Sequence, residues 1–174
     1  MSGTVSSDER EKLVRRALED YEGALIGYAA SILRDSDRAR DVAQDPFIRL
    51  FEQDPEKVAP ALKPWLFTVC RNRCFDILRK EKRMSNLEDE KIDRISDGSE
   101  DPASAFERSD QHGEVLRFLE RLPSNQREVI RLKFQGEMSY KEISEVTDLS
   151  VSNVGFLIHA GLKRLRGLMS HQIA

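Results

Sequence analysis

Ser139 and Glu142 stand three residues apart, immediately ahead of the apolar residues Ile143 and Val146. At that spacing the serine hydroxyl and the glutamate carboxylate can each satisfy an orphan amide, so a helix must start here. Asp148-Leu149-Ser150 supplies a polar turn whose serine can cap a second helix. Val154, Leu157, Ile158, Leu162, Leu165 and Leu168 then recur at threes and fours, the buried stripe of a long helix. Upstream, Pro123 closes one helix and Arg127 lies in the next. The series is helix, short turn, capped helix, three-residue turn, then a helix with a basic end at Lys163, Arg164 and Arg166. That is the layout of a DNA-binding helix-turn-helix.

The outward stripe of the last helix holds Ser152, Phe156, His159, Lys163 and Arg166. In such a motif the first residues reach base edges and later cations reach phosphate. Phe156 suits a thymine methyl, whereas His159 alone reads as a surface residue. The plainer alternative is a helical hairpin with a solvated basic end.

The remainder is also helical. Val14, Leu18, Tyr21, Leu25, Tyr28, Ala29 and Ile32 define one amphipathic helix. A second, capped by Asp35 or Ser36, carries Ala39, Val42, Ala43, Phe47, Leu50 and Phe51, with Pro46 expected to kink it. Asp54-Pro55 and Ala59-Pro60 mark a loop, and Pro64 suits the first turn of a third helix reaching about Arg83. From Pro102 the helical pattern resumes.

Charge divides the chain. Residues 1–83 carry 16 basic and 15 acidic side chains, residues 84–101 carry 2 and 7, and residues 102–174 carry 10 and 9. The acidic middle is poorly periodic and too polar to offset its ordering entropy, so it reads as a flexible linker. The expected architecture is all-α, with two small helical domains (1–83 and 102–174) joined by the flexible acidic linker 84–101. A chain with 39% hydrophobic and 34% charged residues fits two small cores better than one large one.

Several chemistries are disfavoured. The three histidines are scattered, no glycine-rich phosphate loop occurs and no carboxylate pair stands apart, so no catalytic residues and no cofactor are expected. Cys70 and Cys74 are four apart with no histidine nearby, which suits reduced core thiols better than a metal or redox site. No apolar run approaches the ~20 residues needed to cross a bilayer, and the N-terminus lacks a leader-like apolar stretch. A cytoplasmic protein without membrane insertion is expected.

The third helix, from Trp65 to Lys80, has a face of its own. Thr68, Asn72, Asp76, Arg79 and Arg83 share it, flanked by Arg71, Lys80 and Lys82. Hydrogen-bonding groups, cations and aromatics interleaved on one surface suit single-stranded nucleic acid. Phe67, Phe75 and Trp65 read first as core aromatics.

Together these residues resemble the extracytoplasmic-function (ECF) sigma factors of bacteria, over roughly residues 11–168. Asp41 to Phe51 is similar to region 2.2 of that family, which docks on the β′ clamp helices of core RNA polymerase. The resemblance implies docking through Asp41, Gln44, Asp45, Phe47, Arg49 and Leu50. Pro64-Trp65-Leu66 with Arg71 to Arg73 and Asp76 to Arg79 resembles regions 2.3 and 2.4, which melt and read the −10 element. It implies single-strand contacts by Trp65, Thr68, Arg71, Asn72, Asp76, Arg79, Lys80 and Arg83, and a flipped-base pocket in the loop Gln53–Lys63. Leu122 to Arg166 resembles region 4, which reads the −35 duplex and meets the β flap. The implied contacts there are Ser139, Tyr140, Lys141, Ser150, Val151, Ser152, Asn153, Phe156, His159, Lys163 and Arg166. The fold implied is a region 2 helical bundle and a region 4 helix-turn-helix. The partners are promoter DNA, core polymerase and an anti-sigma factor, since the short stretch Gly167 to Ala174 is not expected to carry a regulatory domain.

Two positions depart from the family pattern. Pro46 replaces a small or β-branched residue, and Gly155-Phe156 replaces a lysine and a small polar residue, so fewer phosphate contacts and a flatter salt dependence are expected. The linker coils to about 23 Å but stretches to about 60 Å. Promoter elements two helical turns apart lie about 70 Å apart, so the linker must be extended on the promoter. The competing reading is a stand-alone helix-turn-helix regulator. It leaves the Asp41–Phe51 and Trp65–Arg79 patterns unexplained, and an interaction scaffold leaves the basic outer stripe unexplained.

Overall fold

The computed structural model describes residues 6–89 and 111–173. Among them the only regular structure is helical. Helix α1 (Ser7–Leu33) starts where the Ser6 side chain accepts from the Glu9 amide, and stops at Arg34, whose φ of 56° is left-handed. Asp35 caps α2 (Ser36–Glu52) by accepting from the amides of Asp37 and Arg38. Asp54 caps the short helix α3 (Pro55–Val58), and a 3₁₀ turn (Ala59–Ala61) leads into α4 (Leu62–Asp89). The C-terminal part comprises α5 (Gln111–Glu120), α6 (Ser124–Phe134), α7 (Tyr140–Thr147) and α8 (Val151–Ile173). No described helix is long and apolar enough to cross a membrane.

Pro46 sits inside α2, which continues past it, and its ring is fully buried, so packing offsets the lost backbone bond. Two features differ from the sequence expectation. The stretch expected as a loop, Gln53–Lys63, is mostly two helical turns. Helix α4 begins two residues before Pro64 and runs on to Asp89, so the first six residues expected in the linker are helix. The remaining linker residues, 90–101, and the start of the expected C-terminal domain, 102–110, lie outside the described residues.

The N-terminal core packs α1, α2 and α4 through Leu25, Phe47, Leu50, Leu66 and Phe67. The Phe67 and Tyr28 rings meet at 5.4 Å between centroids, tilted by 53°. In the C-terminal part, Val129, Leu132, Met138, Ile143, Val146, Val154 and Leu157 bring α6, α7 and α8 together. Helix α8 crosses α6 closely at Gly161, where an added Cβ would lie 2.5 Å from Ile130 Cδ1. Leu119, Leu122 and Ile130 form a smaller cluster that holds α5 against α8. The two main cores are continuous: α7 packs on α4.

Cys70 and Cys74 are both free and fully buried. The contact with Cys74, with burial added, pushes the Cys70 thiol well above its ordinary range. Neither sulfur is placed to react, since reactivity needs an exposed thiolate. A maleimide should therefore label the folded protein negligibly and take up two equivalents in denaturant. Rapid labelling of the folded chain would contradict this core.

Candidate nucleic-acid and polymerase interface

Helix α4 carries the polar face expected from the sequence, but its residues do different things. Asn72, Asp76, Arg79, Lys80 and Arg83 are exposed. Asp76 pairs with Arg79 at 2.7 Å, one turn along. With Arg73, Asp76, Arg79, Lys80 and Arg83 line a shallow groove, cationic on balance, along the C-terminal half of the helix. Thr68 is half-buried and its hydroxyl donates to the Pro64 carbonyl at 2.7 Å, so it serves the helix backbone. Trp65 is half-buried against the core. Arg71 is turned away: its Nε donates to Glu128 Oε1 at 2.6 Å, and its guanidinium lies 4.7 Å from the Phe75 ring centroid.

On α2 the phase of the helix divides the expected docking set between surface and core. Asp41, Gln44 and Arg49 are exposed, and Asp45 is half-buried and paired with Arg73 at 3.2 Å. Phe47 and Leu50 are 5% and 1% exposed, so their side chains belong mainly to the core, although Phe47 also reaches the floor of the groove between α1 and α2. The reason is periodicity, because they continue the stripe of Ala39, Val42, Ala43 and Pro46. The outward apolar residues are Ile48 and Phe51, 60% and 47% exposed. They line a groove between α1 and α2 with Val14, Leu18 and Ile26, rimmed by Glu22, Arg40, Gln44 and Glu52. Ile48 was absent from the expected docking set, although Arg40, Gln44, Ile48 and Phe51 recur at fours and threes.

The helix-turn-helix follows its sequence signals. Ser139 Oγ accepts from the Glu142 amide and Glu142 Oε1 accepts from the Ser139 amide, both at 3.1 Å. Asp148 takes a left-handed φ of 61° and its amide donates to the Ser144 carbonyl. The Ser144 hydroxyl donates to the Leu149 carbonyl at 2.5 Å, a brace on the turn that the sequence did not announce. Ser150 Oγ accepts from the Asn153 amide at 3.1 Å and caps α8. Lys141, Val151, Ser152, Asn153, Phe156, His159, Lys163 and Arg166 all face solvent. Phe156 is 68% exposed. Tyr140 does not: it is half-buried, its ring edge 3.3 Å from where a Cβ on Gly155 would sit. A larger residue at 155 would have to displace that ring, which gives a packing reason for the glycine. Lys133 Nζ lies 5.6 Å from the centroid of the same ring.

One contact between α6 and the N-terminal helices gave no sequence signal. Glu128 Oε1 accepts both from Tyr28 Oη, at 2.7 Å, and from Arg71 Nε, so a single α6 carboxylate ties α6 to α1 and α4. Burial, reinforced by this carboxylate, pushes the Tyr28 phenol far above its ordinary value. Lys63 Nζ adds a bond to the Glu137 carbonyl at 3.0 Å.

Residues 17–84 match the family described as Sigma-70 region 2, and residues 112–165 match Sigma-70, region 4. These two helical modules, in this order, define a sigma-70-type chain. RpoE of Cereibacter sphaeroides, an ECF RNA polymerase sigma factor, is 31% identical over 137 residues, which is 76% of this chain and 73% of that protein. SigM of Bacillus subtilis, another, is 28% identical over 155 residues, 88% of this chain and 93% of that one. The crystal structure of the sigma factor RpoE in complex with the anti-sigma factor NepR, from Bartonella quintana, has the same fold. The TM-score is 0.64 at 22% identity, over 90% of this chain and 96% of that one. The chain belongs to the ECF RNA polymerase sigma factor family. Members of this family act with core RNA polymerase on promoter DNA, and this chain is a sigma factor of that kind. The region 2 match covers the residues that a stand-alone helix-turn-helix regulator leaves unexplained.

Proposed function

We propose that the two modules divide promoter recognition between them. Residues 1–83 dock on the clamp of core polymerase and open the −10 element, 84–101 link, and 102–174 read the −35 duplex. The observation that supports this most is the exposed α4 face, where Asn72, Asp76, Arg79, Lys80 and Arg83 lie together on one helix and are cationic on balance. Cations there follow the strand backbone, and Asn72 and Asp76 supply hydrogen bonds to unpaired bases. The helical turns between Gln53 and Lys63 lead into the start of α4 and suit a pocket for one flipped base, whose unstacking costs a few kcal/mol. Arg71 joins the face once it leaves Glu128, while Thr68 and Trp65 shape it from below. In the C-terminal module, Val151, Ser152, Asn153 and Phe156 meet base edges, and Lys141, His159, Lys163 and Arg166 meet phosphates. Ser139, Ser150 and Tyr140 set the helix positions. The protein works without chemistry of its own, in the cytoplasm, under the control of an anti-sigma factor.

The test is reconstitution with bacterial core polymerase on a library of genomic promoters. Wild-type protein should direct promoter-dependent transcripts. Asn72→Ala should retain core binding and lower strand opening by about tenfold, the loss expected of one or two base contacts worth ~1.4 kcal/mol. Equal loss of core binding and opening would remove Asn72 from the melting surface, and an absence of any transcript would remove the division of labour altogether.

A further inference from the structure

Arg10 ends the first turn of α1, where a cation opposes the positive end of that helix's own dipole. Its partner lies elsewhere. Arg10 Nη1 donates to the Phe51 carbonyl in the last turn of α2, at 3.3 Å and 41 positions along the chain. Carbonyls at a helix C-terminus lack partners within the helix, and a cation beside them is favourable. For Phe51 the helix could never supply one, because the residue four positions on is Pro55, which has no amide N–H. Among the described residues Arg10 forms no ion pair, whereas its neighbours Lys12 and Arg15 pair with Asp8 and Glu11. Its Nε is also buried without a partner there. The side chain is thus seated for the Phe51 carbonyl and is not an ordinary solvated cation.

We propose that Arg10 is a positioning residue for the polymerase-docking groove, pinning the last turn of α2 so that Phe51 stands preset against α1. Arg10 precedes Val14 by four positions, so the two share a face of α1. Val14, Ile48 and Phe51 line the groove together. The bond therefore sits where α1 begins and α2 stops, at one end of that groove. Phe51 is 47% exposed, so its own packing holds it only weakly, and helix ends fray first. A turn ordered in advance spares binding the cost of ordering it. A hydrogen bond from a charged donor is stronger than a neutral one, which suits a pin at an exposed end. Arg10 also stands ahead of residues 17–84, the stretch matching Sigma-70 region 2, so the pin is an addition outside the matched module. The consequence for polymerase rests on the proposed docking through α2; the pinning of α2 itself does not.

The experiment uses the full chain and three readouts: hydrogen exchange at the amides of Phe51 to Gln53, titration of labelled core polymerase, and thermal melts. Arg10→Met keeps an apolar stem and loses the donors, and Arg10→Lys keeps a cationic donor. Arg15→Met removes the same charge from an exposed ion pair on the same helix. Arg10→Met should speed exchange at these amides about fivefold and weaken polymerase binding by a similar factor, since apparent affinity scales with the preset fraction. The melting temperature should stay nearly unchanged, because fraying of one turn is local. Arg10→Lys should recover most of both losses, and Arg15→Met should show neither. In a Phe51→Ala background Arg10→Met should cost little further affinity, because the anchor it places is gone. Unchanged exchange in Arg10→Met overturns the pin. Faster exchange with wild-type affinity overturns the positioning role, and so does an equal affinity loss in Arg15→Met, which would make the effect one of net charge. A melting temperature that falls in step with affinity would make Arg10 a residue of the fold alone. Full additivity with Phe51→Ala overturns the route through that anchor. The docking surface itself fails separately, if Ile48→Asp with Phe51→Asp also binds polymerase like the wild type.

Discussion

Phe67→Ala should destabilise the N-terminal module by about 3–5 kcal/mol, the usual cost of deleting a buried phenylalanine. Phe67 is the largest of the fully buried side chains among the described residues, and its ring meets Tyr28 across the α1–α4 contact. Removing it leaves a cavity where two helices touch, together with the lost ring contact. Domains of this size are stable by only 5–15 kcal/mol in general, so the variant should sit near the edge of unfolding at 37 °C. The chain offers a probe specific to this module, because its one tryptophan, Trp65, lies on α4. Urea unfolding followed by Trp65 fluorescence should show a lower midpoint at an unchanged slope. Phe67→Leu should recover much of the loss. A shift worth under ~1 kcal/mol would mean that the α1–α4 contact is not the centre of this core.

Much of the architecture follows from local rules that agree with one another. The capping box at Ser139 and Glu142, the turn at Asp148 and the stripe beginning at Val154 each point to the same helix-turn-helix, and the structure forms all three. Legibility fails where position depends on residues far apart in the chain. Glu128 is separated by 57 residues from Arg71 and by 100 from Tyr28, so no window of sequence pairs them. The seat of Tyr140 over Gly155 is hidden for the same reason: alone, the glycine looks only like a missing cation. The extension of α4 to Asp89 reflects cooperativity. Met84 and Leu87 are exposed and bury little, but adding good helix formers to an existing helix needs no new nucleus. At Phe47 and Leu50, the phase of the helix turns both side chains mainly into the core, which the likeness of a motif alone does not reveal.

That phase leads to the second large effect. Ile48→Asp with Phe51→Asp should weaken binding to core polymerase by about a hundredfold, the order expected when two interface anchors worth ~1.4 kcal/mol each are replaced by charge. Both side chains project from α2 into the groove edged by α1, next to exposed Gln44 and Asp41, so apolar anchors and a polar rim already stand together. Because they are exposed before binding, their replacement should leave the melting temperature nearly unchanged. Phe47→Ala and Leu50→Ala should do the reverse, lowering stability by several kcal/mol and affecting polymerase binding mainly through the folded fraction. The contrast is decisive, since the four residues lie within five positions of one another on one helix. Titration of labelled core polymerase with each variant, alongside thermal melts, separates the two pairs. Wild-type affinity in the doubly charged variant would move the docking surface off this groove and onto the polar residues Asp41, Gln44 and Arg49 alone. An affinity loss confined to that variant would place the apolar contact on the outward side of α2, where the helical period puts it.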